Sequence, residues 1–136
     1  MAGEQILVVE DNDKNMKLFR DVLTAKGYRI LEAWLAEEAL ALAAQRTPDL
    51  VLMDIALPDL DGMEALNRLR ADGRTASIPV LALTAQAMRG DRERFLAAGF
   101  DDYISKPVNV GQLIGVVRRL CDGSRGITDG ARPSRP

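Results

Sequence analysis

The chain has 136 residues, is 47% apolar and 28% charged, and carries a net charge of −2, values that fit one ordinary globular domain able to bury a core without staples. That charge leaves no electrostatic footprint for nucleic acid or for an anionic membrane, and no apolar run approaches the ~20 residues of a membrane span. One cysteine and no histidine exclude an internal disulfide, a thiolate metal cage, imidazole ligation and histidine-based acid–base catalysis, so any metal here sits on oxygen, as Mg²⁺, Mn²⁺ or Ca²⁺ does.

Apolar periodicity alternates between short runs and longer amphipathic stretches. Gln5 to Val9 reads as a buried strand. Asp13 to Lys26 reads as a helix with Leu18, Phe19, Val22 and Leu23 inward, Asp13 as its N-cap and Gly27 as its stop. Tyr28 to Leu31 is a second strand, and Ala36 to Arg46 a helix with Ala36, Ala39, Leu40, Ala43 and Ala44 inward. Asp49 to Met53 is almost wholly apolar and is expected to be buried on both faces. Met63 to Ala71 is helical, with Met63, Leu66 and Leu69 inward.

Ile78 to Leu83 is a fourth strand, with Pro79 keeping its first residues out of the ladder. Ala87 to Ala98 is a helix with a thin apolar face, ended by Gly99. Tyr103 and Ile104 form a short fifth strand. Val110 to Leu120 is a last helix, with Leu113, Val116, Val117 and Leu120 at helical spacing and Cys121 as a small apolar residue behind them. The rest, residues 122–136, is rich in Gly, Pro, Ser and Arg and reads as a disordered tail or linker after a single domain of residues 1–121. The start, Met1 to Ile6, has no basic region or apolar signal core, so no export is expected and the lone thiol suits a cytoplasmic location.

Five βα units in succession imply a parallel sheet with helices on both faces. Ligands of such a sheet bind beyond the carboxyl ends of the strands, and chemically capable residues gather there. Glu10 and Asp11 follow the first apolar run, Asp54 the third, Thr84 the fourth, and Ser105 and Lys106 the fifth. Any one of them alone is ordinarily a solvated residue or a turn. Together they place three carboxylates, a hydroxyl and an ammonium on one edge, at positions that do nothing for the core. Crowded carboxylates repel, and a hard divalent cation relieves that repulsion. Asp54 is the best nucleophile, since a carboxylate can attack phosphorus to give an acyl phosphate. Lys106 and Thr84 would then meet phosphoryl oxygens.

On these residues the chain resembles the receiver domains of two-component response regulators, over Gln5 to about Cys121. The stretches that carry the resemblance are ILVVEDN (Ile6 to Asn12), PDLVLMDIALPDLDG (Pro48 to Gly62), PVLALTA (Pro79 to Ala85) and AAGFDDYISKP (Ala97 to Pro107). Asn15 to Phe19 and Thr84 to Asp91 are similar to single-domain regulators of the DivK kind and to receiver modules of hybrid kinases. The resemblance implies a doubly wound, CheY-like or flavodoxin-like fold with strand order 2-1-3-4-5. It implies Asp54 as phosphoacceptor. Mg²⁺, replaceable by Mn²⁺, would be held by Glu10, Asp11, Asp54 and the backbone carbonyl of Ala56. Thr84 would be the switch hydroxyl, Lys106 the phosphate-binding lysine, Tyr103 the switch aromatic, and Lys106–Pro107 a cis peptide.

The donor would be a phosphohistidine on a histidine kinase or a histidine phosphotransfer protein. A downstream protein would be met through the fourth helix, fifth strand and fifth helix, with no output domain and no conventional enzyme activity beyond assisting the domain's own phosphorylation and dephosphorylation. Two departures stand out. Many receivers have Asn-Gly or Asp-Gly where this chain has Leu35 and Ala36, so the turn into the second helix differs and Trp34 and Leu35 are expected at the surface. Ala56, which with Gln86 influences phosphoryl lifetime in this family, offers no polar side chain. Two rivals are an aspartate-nucleophile phosphohydrolase, which usually carries a second aspartate where Ala56 stands, and a phosphate-independent interaction module. No glycine-rich phosphate loop follows the first strand, against a nucleotide-binding reading.

Overall fold

In the computed structural model, which describes residues 3–85 and 90–123, strands and helices alternate along the chain. The order is β1 (Gln5–Val9), α1 (Asp13–Ala25), β2 (Arg29–Ala33), α2 (Ala36–Arg46), β3 (Leu50–Asp54), α3 (Gly62–Ala71), β4 (Val80–Thr84), α4 (Asp91–Ala98), β5 (Asp102–Ser105) and α5 (Val110–Gly123). Every neighbouring strand pair is parallel, and the five-stranded sheet has the order β2-β1-β3-β4-β5. The order reverses between β1 and β3, so a crevice opens beyond the carboxyl ends of those two strands.

The alternation of side chains along each strand divides the core in two. Ile6, Val8, Leu50, Leu52, Leu81 and Leu83 point to the face covered by α1 and α5, where Met16, Phe19, Leu23, Leu113, Val117 and Leu120 pack. Leu7, Val9, Val51, Met53, Val80 and Ala82 point to the other face, under Ala36, Ala39, Ala43, Ala65, Leu66, Leu69 and Phe95 of α2, α3 and α4. The three central strands are apolar on both sides because both sides are covered. Small alanines on α2 let that helix lie close to the sheet.

The expected elements form, with local corrections. α1 buries Met16 with Phe19 and Leu23, while Leu18 is only half-buried. Its N-cap is Asn12, whose side chain accepts from the Asn15 amide at 3.0 Å, and Asp13 is the first helical residue. β2 runs two residues beyond Leu31, to Ala33, because pairing with β1 continues through Val9. Asp54 and Thr84 are the last residues of β3 and β4, not the first after them. Pro79 stays outside β4, its carbonyl accepting from Val51 at 2.9 Å.

α4 runs from Asp91 and is preceded by Gly90 in a left-handed conformation (φ 89°); the expected start of this helix, Ala87 to Arg89, lies outside the described residues. Phe95 is the one fully buried large residue among the described side chains of α4, whose apolar face is thin. α5 continues to Gly123, so the first two residues of the expected tail are helical, and 124–136 lie outside the described residues.

Candidate phosphoacceptor site

Strand ends bring the predicted residues together. β1 delivers Glu10 and Asp11 beside the end of β3, since Val9 pairs with Met53. Asp54 pairs with Leu83, and Thr84 with Ser105. The Lys106 amide donates to the Thr84 carbonyl at 2.8 Å, which fixes the lysine backbone at the edge of β4. The Lys106–Pro107 peptide is cis. From there the Lys106 ammonium donates to Asp54 Oδ2 at 2.9 Å and lies 3.3 Å from Glu10 Oε1. Asp54 Oδ1 accepts from the Ala56 amide at 2.9 Å, and Glu10 Oε2 from the Asn12 amide at 3.2 Å.

Burial sorts these groups. Glu10 is wholly buried and Asp54 and Thr84 are nearly so, whereas Asp11 is exposed and the Lys106 side chain is one-fifth exposed. Burial, and then the nearby charge of Asp54, push the Glu10 carboxyl above its ordinary value despite the Lys106 ammonium. For Lys106, burial pulls the ammonium down, but the hydrogen bond to Asp54 and the charges of Asp54 and Glu10 outweigh it and hold it above the usual range. Among the described residues the site is thus a partly desolvated anionic cluster with the Lys106 ammonium on its inner side.

The donor set fits a hard divalent cation. Carboxylate oxygens of Glu10, Asp11 and Asp54 all lie within 4.8 Å of one another. Among the described residues one ammonium faces three carboxylates, so negative charge is in excess there. Glu10 Oε1 is buried and has no hydrogen-bond partner among the described residues, its approach to Lys106 being a charge contact without hydrogen-bond geometry. A buried carboxylate oxygen left this way is costly unless something else pairs with it.

Tyr103 lies apart from these ligands. It is half-buried on the α4 side of β5, its ring 5.5 Å from that of Phe95, which in turn meets Phe100 edge-on at 5.8 Å. Trp34 and Leu35 are exposed, by 36% and 44%, as the departure at the second turn implied. Gln86 lies outside the described residues.

Two contacts have no counterpart in the sequence reading. The Ala56 amide binding Asp54 is a backbone interaction and leaves no mark in residue type. Asp59 is the other: its carboxylate accepts from the Ala36 and Glu37 amides at 2.9 and 3.0 Å. The signal for it is Leu35, which stands at the N-cap of α2 and has no side-chain acceptor to offer.

The sequence profile of the response regulator receiver domain matches residues 6–118. The polar-differentiation response regulator DivK of Brucella anthropi is 45% identical over 115 residues, 85% of this chain and 94% of the relative, and that of Brucella melitensis matches equally well. Among solved structures, the receiver domain of a sensor histidine kinase from Pseudomonas aeruginosa superposes with a TM-score of 0.80 at 38% identity, over 88% of this chain and 98% of that one; it carries a magnesium ion coordinated in its active-site cleft. The receiver domain of a Francisella response regulator superposes with a TM-score of 0.84 at 28% identity, over 90% of this chain and all of the other. With its strand order, its acidic crevice and these relatives, the chain belongs to the response-regulator receiver family.

Proposed function

We propose that this domain accepts a phosphoryl group on Asp54 from a phosphohistidine of a histidine kinase or a histidine phosphotransfer protein, and signals by protein–protein contact. The observation that carries the reading is the contact of Lys106 with Asp54 inside the cluster of Glu10, Asp11 and Asp54. A carboxylate oxygen of Asp54 attacks phosphorus, the phosphorus–nitrogen bond breaks, and the imidazole leaves with its electron pair. Lys106 transfers its ammonium from the carboxylate to a phosphoryl oxygen. Thr84, at the adjacent strand end, offers its hydroxyl to another.

Glu10, Asp11, Asp54 and the carbonyl of Ala56 are the residues that would hold Mg²⁺. When bound, it supplies charge neutralisation and alignment for the transferring group. Mn²⁺ satisfies the same oxygen set. Thr84 and Tyr103 are the proposed switch pair, and α4, β5 and α5 the proposed output face. Phosphorylation adds contacts to Thr84 and Lys106 in one conformation and so shifts a two-state population. No helix among the described residues is long and apolar enough to cross a membrane, and the buried free thiol of Cys121 suits the reducing cytoplasm.

The test is intact-mass analysis after incubation with acetyl phosphate, with and without Mg²⁺, on the wild type and Asp54→Asn. One Mg²⁺-dependent phosphoryl adduct on the wild type alone is expected. An adduct that persists in Asp54→Asn would overturn the site.

A further inference from the structure

The loop between β3 and α3, Ile55 to Asp61, holds Ala56 and so carries part of the proposed cation site. At its base the Gly62 amide donates to the Ile55 carbonyl at 2.9 Å, and Asp61 caps α3 by accepting from Glu64 at 3.0 Å. At its far side Asp59 reaches across to α2 and takes the Ala36 and Glu37 amides, 23 and 22 residues away in sequence.

A helix start normally finds its acceptor in its own N-cap side chain. In α2 the N-cap is Leu35, which makes no side-chain cap hydrogen bond. The acceptor comes instead from the loop beside the phosphoacceptor. Those two amides hold the Asp59 carboxyl below its ordinary value, with the Ala36 amide the larger cause. Arg68 of α3 adds a second tie to the same helical turn, donating to Glu37 at 3.0 Å as well as to Glu64 at 3.3 Å. The missing local cap and the loop's position are therefore satisfied by one contact.

We propose that Asp59 is a positioning residue for the cation site: by capping α2 in place of Leu35 it fixes the Ile55–Asp61 loop, and with it the Ala56 peptide, whose amide holds Asp54 and whose carbonyl would serve as a ligand of the cation. The inference rests on the proposed function. A cap borrowed from the loop ties loop order to helix order, whereas a cap from Leu35's own position would not.

The experiment measures Mg²⁺ affinity by calorimetry on the unphosphorylated protein, and thermal stability in chelator, for wild type, Asp59→Ala, Asp59→Asn, and Leu35→Ser combined with Asp59→Ala. Asp59→Ala is expected to weaken Mg²⁺ roughly tenfold, the low end of the effect of residues that orient metal ligands. Asp59→Asn, which keeps one acceptor oxygen but not the charge, retains more of the affinity. The double variant regains stability, because Ser at the N-cap restores a local acceptor, and stays weak for Mg²⁺. Affinity that returns with stability, or that is unchanged in Asp59→Ala, overturns the positioning role and leaves Asp59 a helix cap. Equal weakening by Asn and Ala also overturns it, in favour of simple charge. A wild type that binds no Mg²⁺ would instead overturn the proposed function.

Discussion

Gly62 lies against Ile55 so closely that a Cβ on Gly62 would stand 2.8 Å from Ile55 Cα and 3.3 Å from the Asp54 carbonyl oxygen. The first turn of α3 is thereby pressed onto the residue after Asp54. Gly62→Ala forces backbone against backbone, which no rotamer change relieves, and overpacking of this kind costs about 1–3 kcal/mol. Chemical denaturation is expected to show that loss, together with weaker Mg²⁺ binding because the displaced atoms belong to the site. Unchanged stability would mean that the close approach relaxes freely.

Glu10 costs the fold stability at neutral pH. Its folded-state carboxyl lies above the ordinary value of 4.5, first through burial and then through repulsion from Asp54. A raised carboxyl binds protons more tightly in the folded state than in the unfolded one, so it lowers stability as pH rises through the acid range, and the full penalty stands at neutral pH. Glu10→Gln is expected to raise the denaturation midpoint in chelator at pH 7 and to leave it nearer the wild type at pH 4. A lower midpoint at pH 7 would show that the pair with Lys106 outweighs the desolvation.

The same variant is expected to lose the response to metal. A ligand at 100 times its Kd stabilises a protein by about 2.7 kcal/mol, so saturating Mg²⁺ should raise the wild-type midpoint clearly and the Glu10→Gln midpoint much less. An equal rise in both would remove Glu10 from the ligand set.

Arg70 ties α3 to the loops around it. Its guanidinium donates to the Ala76 and Ile78 carbonyls at 3.1 and 2.6 Å, to the Gly99 carbonyl at 2.8 Å, and to Asp101 at 3.1 Å. The side chains of the Arg70–Asp101 pair are 24% and 8% exposed, and breaking such a pair from one side costs about 3 kcal/mol or more. Arg70→Met should lose that much in urea denaturation. Arg70→Lys should recover little, since a single ammonium cannot reproduce the planar fork.

Cys121 is buried, and burial pushes its thiol up to about 12. Only the thiolate reacts. Alkylation by iodoacetamide at pH 8 is therefore expected to follow the opening of α5, slow in water and fast in denaturant. Prompt reaction of the native protein would place the thiol at the surface.

Much of the site is legible in the amino-acid sequence because its residues follow apolar runs. Glu10, Asp11, Asp54, Thr84 and Lys106 each stand where a strand ends, and a parallel sheet brings all its carboxyl ends to one edge. The sidedness of the helices is legible too, since periodic burial writes itself into residue type: Phe19, Leu23, Leu66, Leu69, Leu113 and Val117 are inward as their spacing implies. Boundaries are less so. β2 runs to Ala33 because its partner continues, and Gly90, just before α4, is left-handed; neither feature is an apolar pattern.

The sequence by itself determined the alternation of strands and helices, the double layer of core and the identity of the groups at the strand ends, because burial repeats every two or every 3.6 residues and local spacing records it. Only the tertiary structure decided which polar groups meet: Lys106 with Asp54, Asp59 with the start of α2, Arg70 with three carbonyls, Gly62 against Ile55. Those contacts join residues far apart in the chain or depend on backbone atoms common to every residue, and sequence periodicity carries no trace of either.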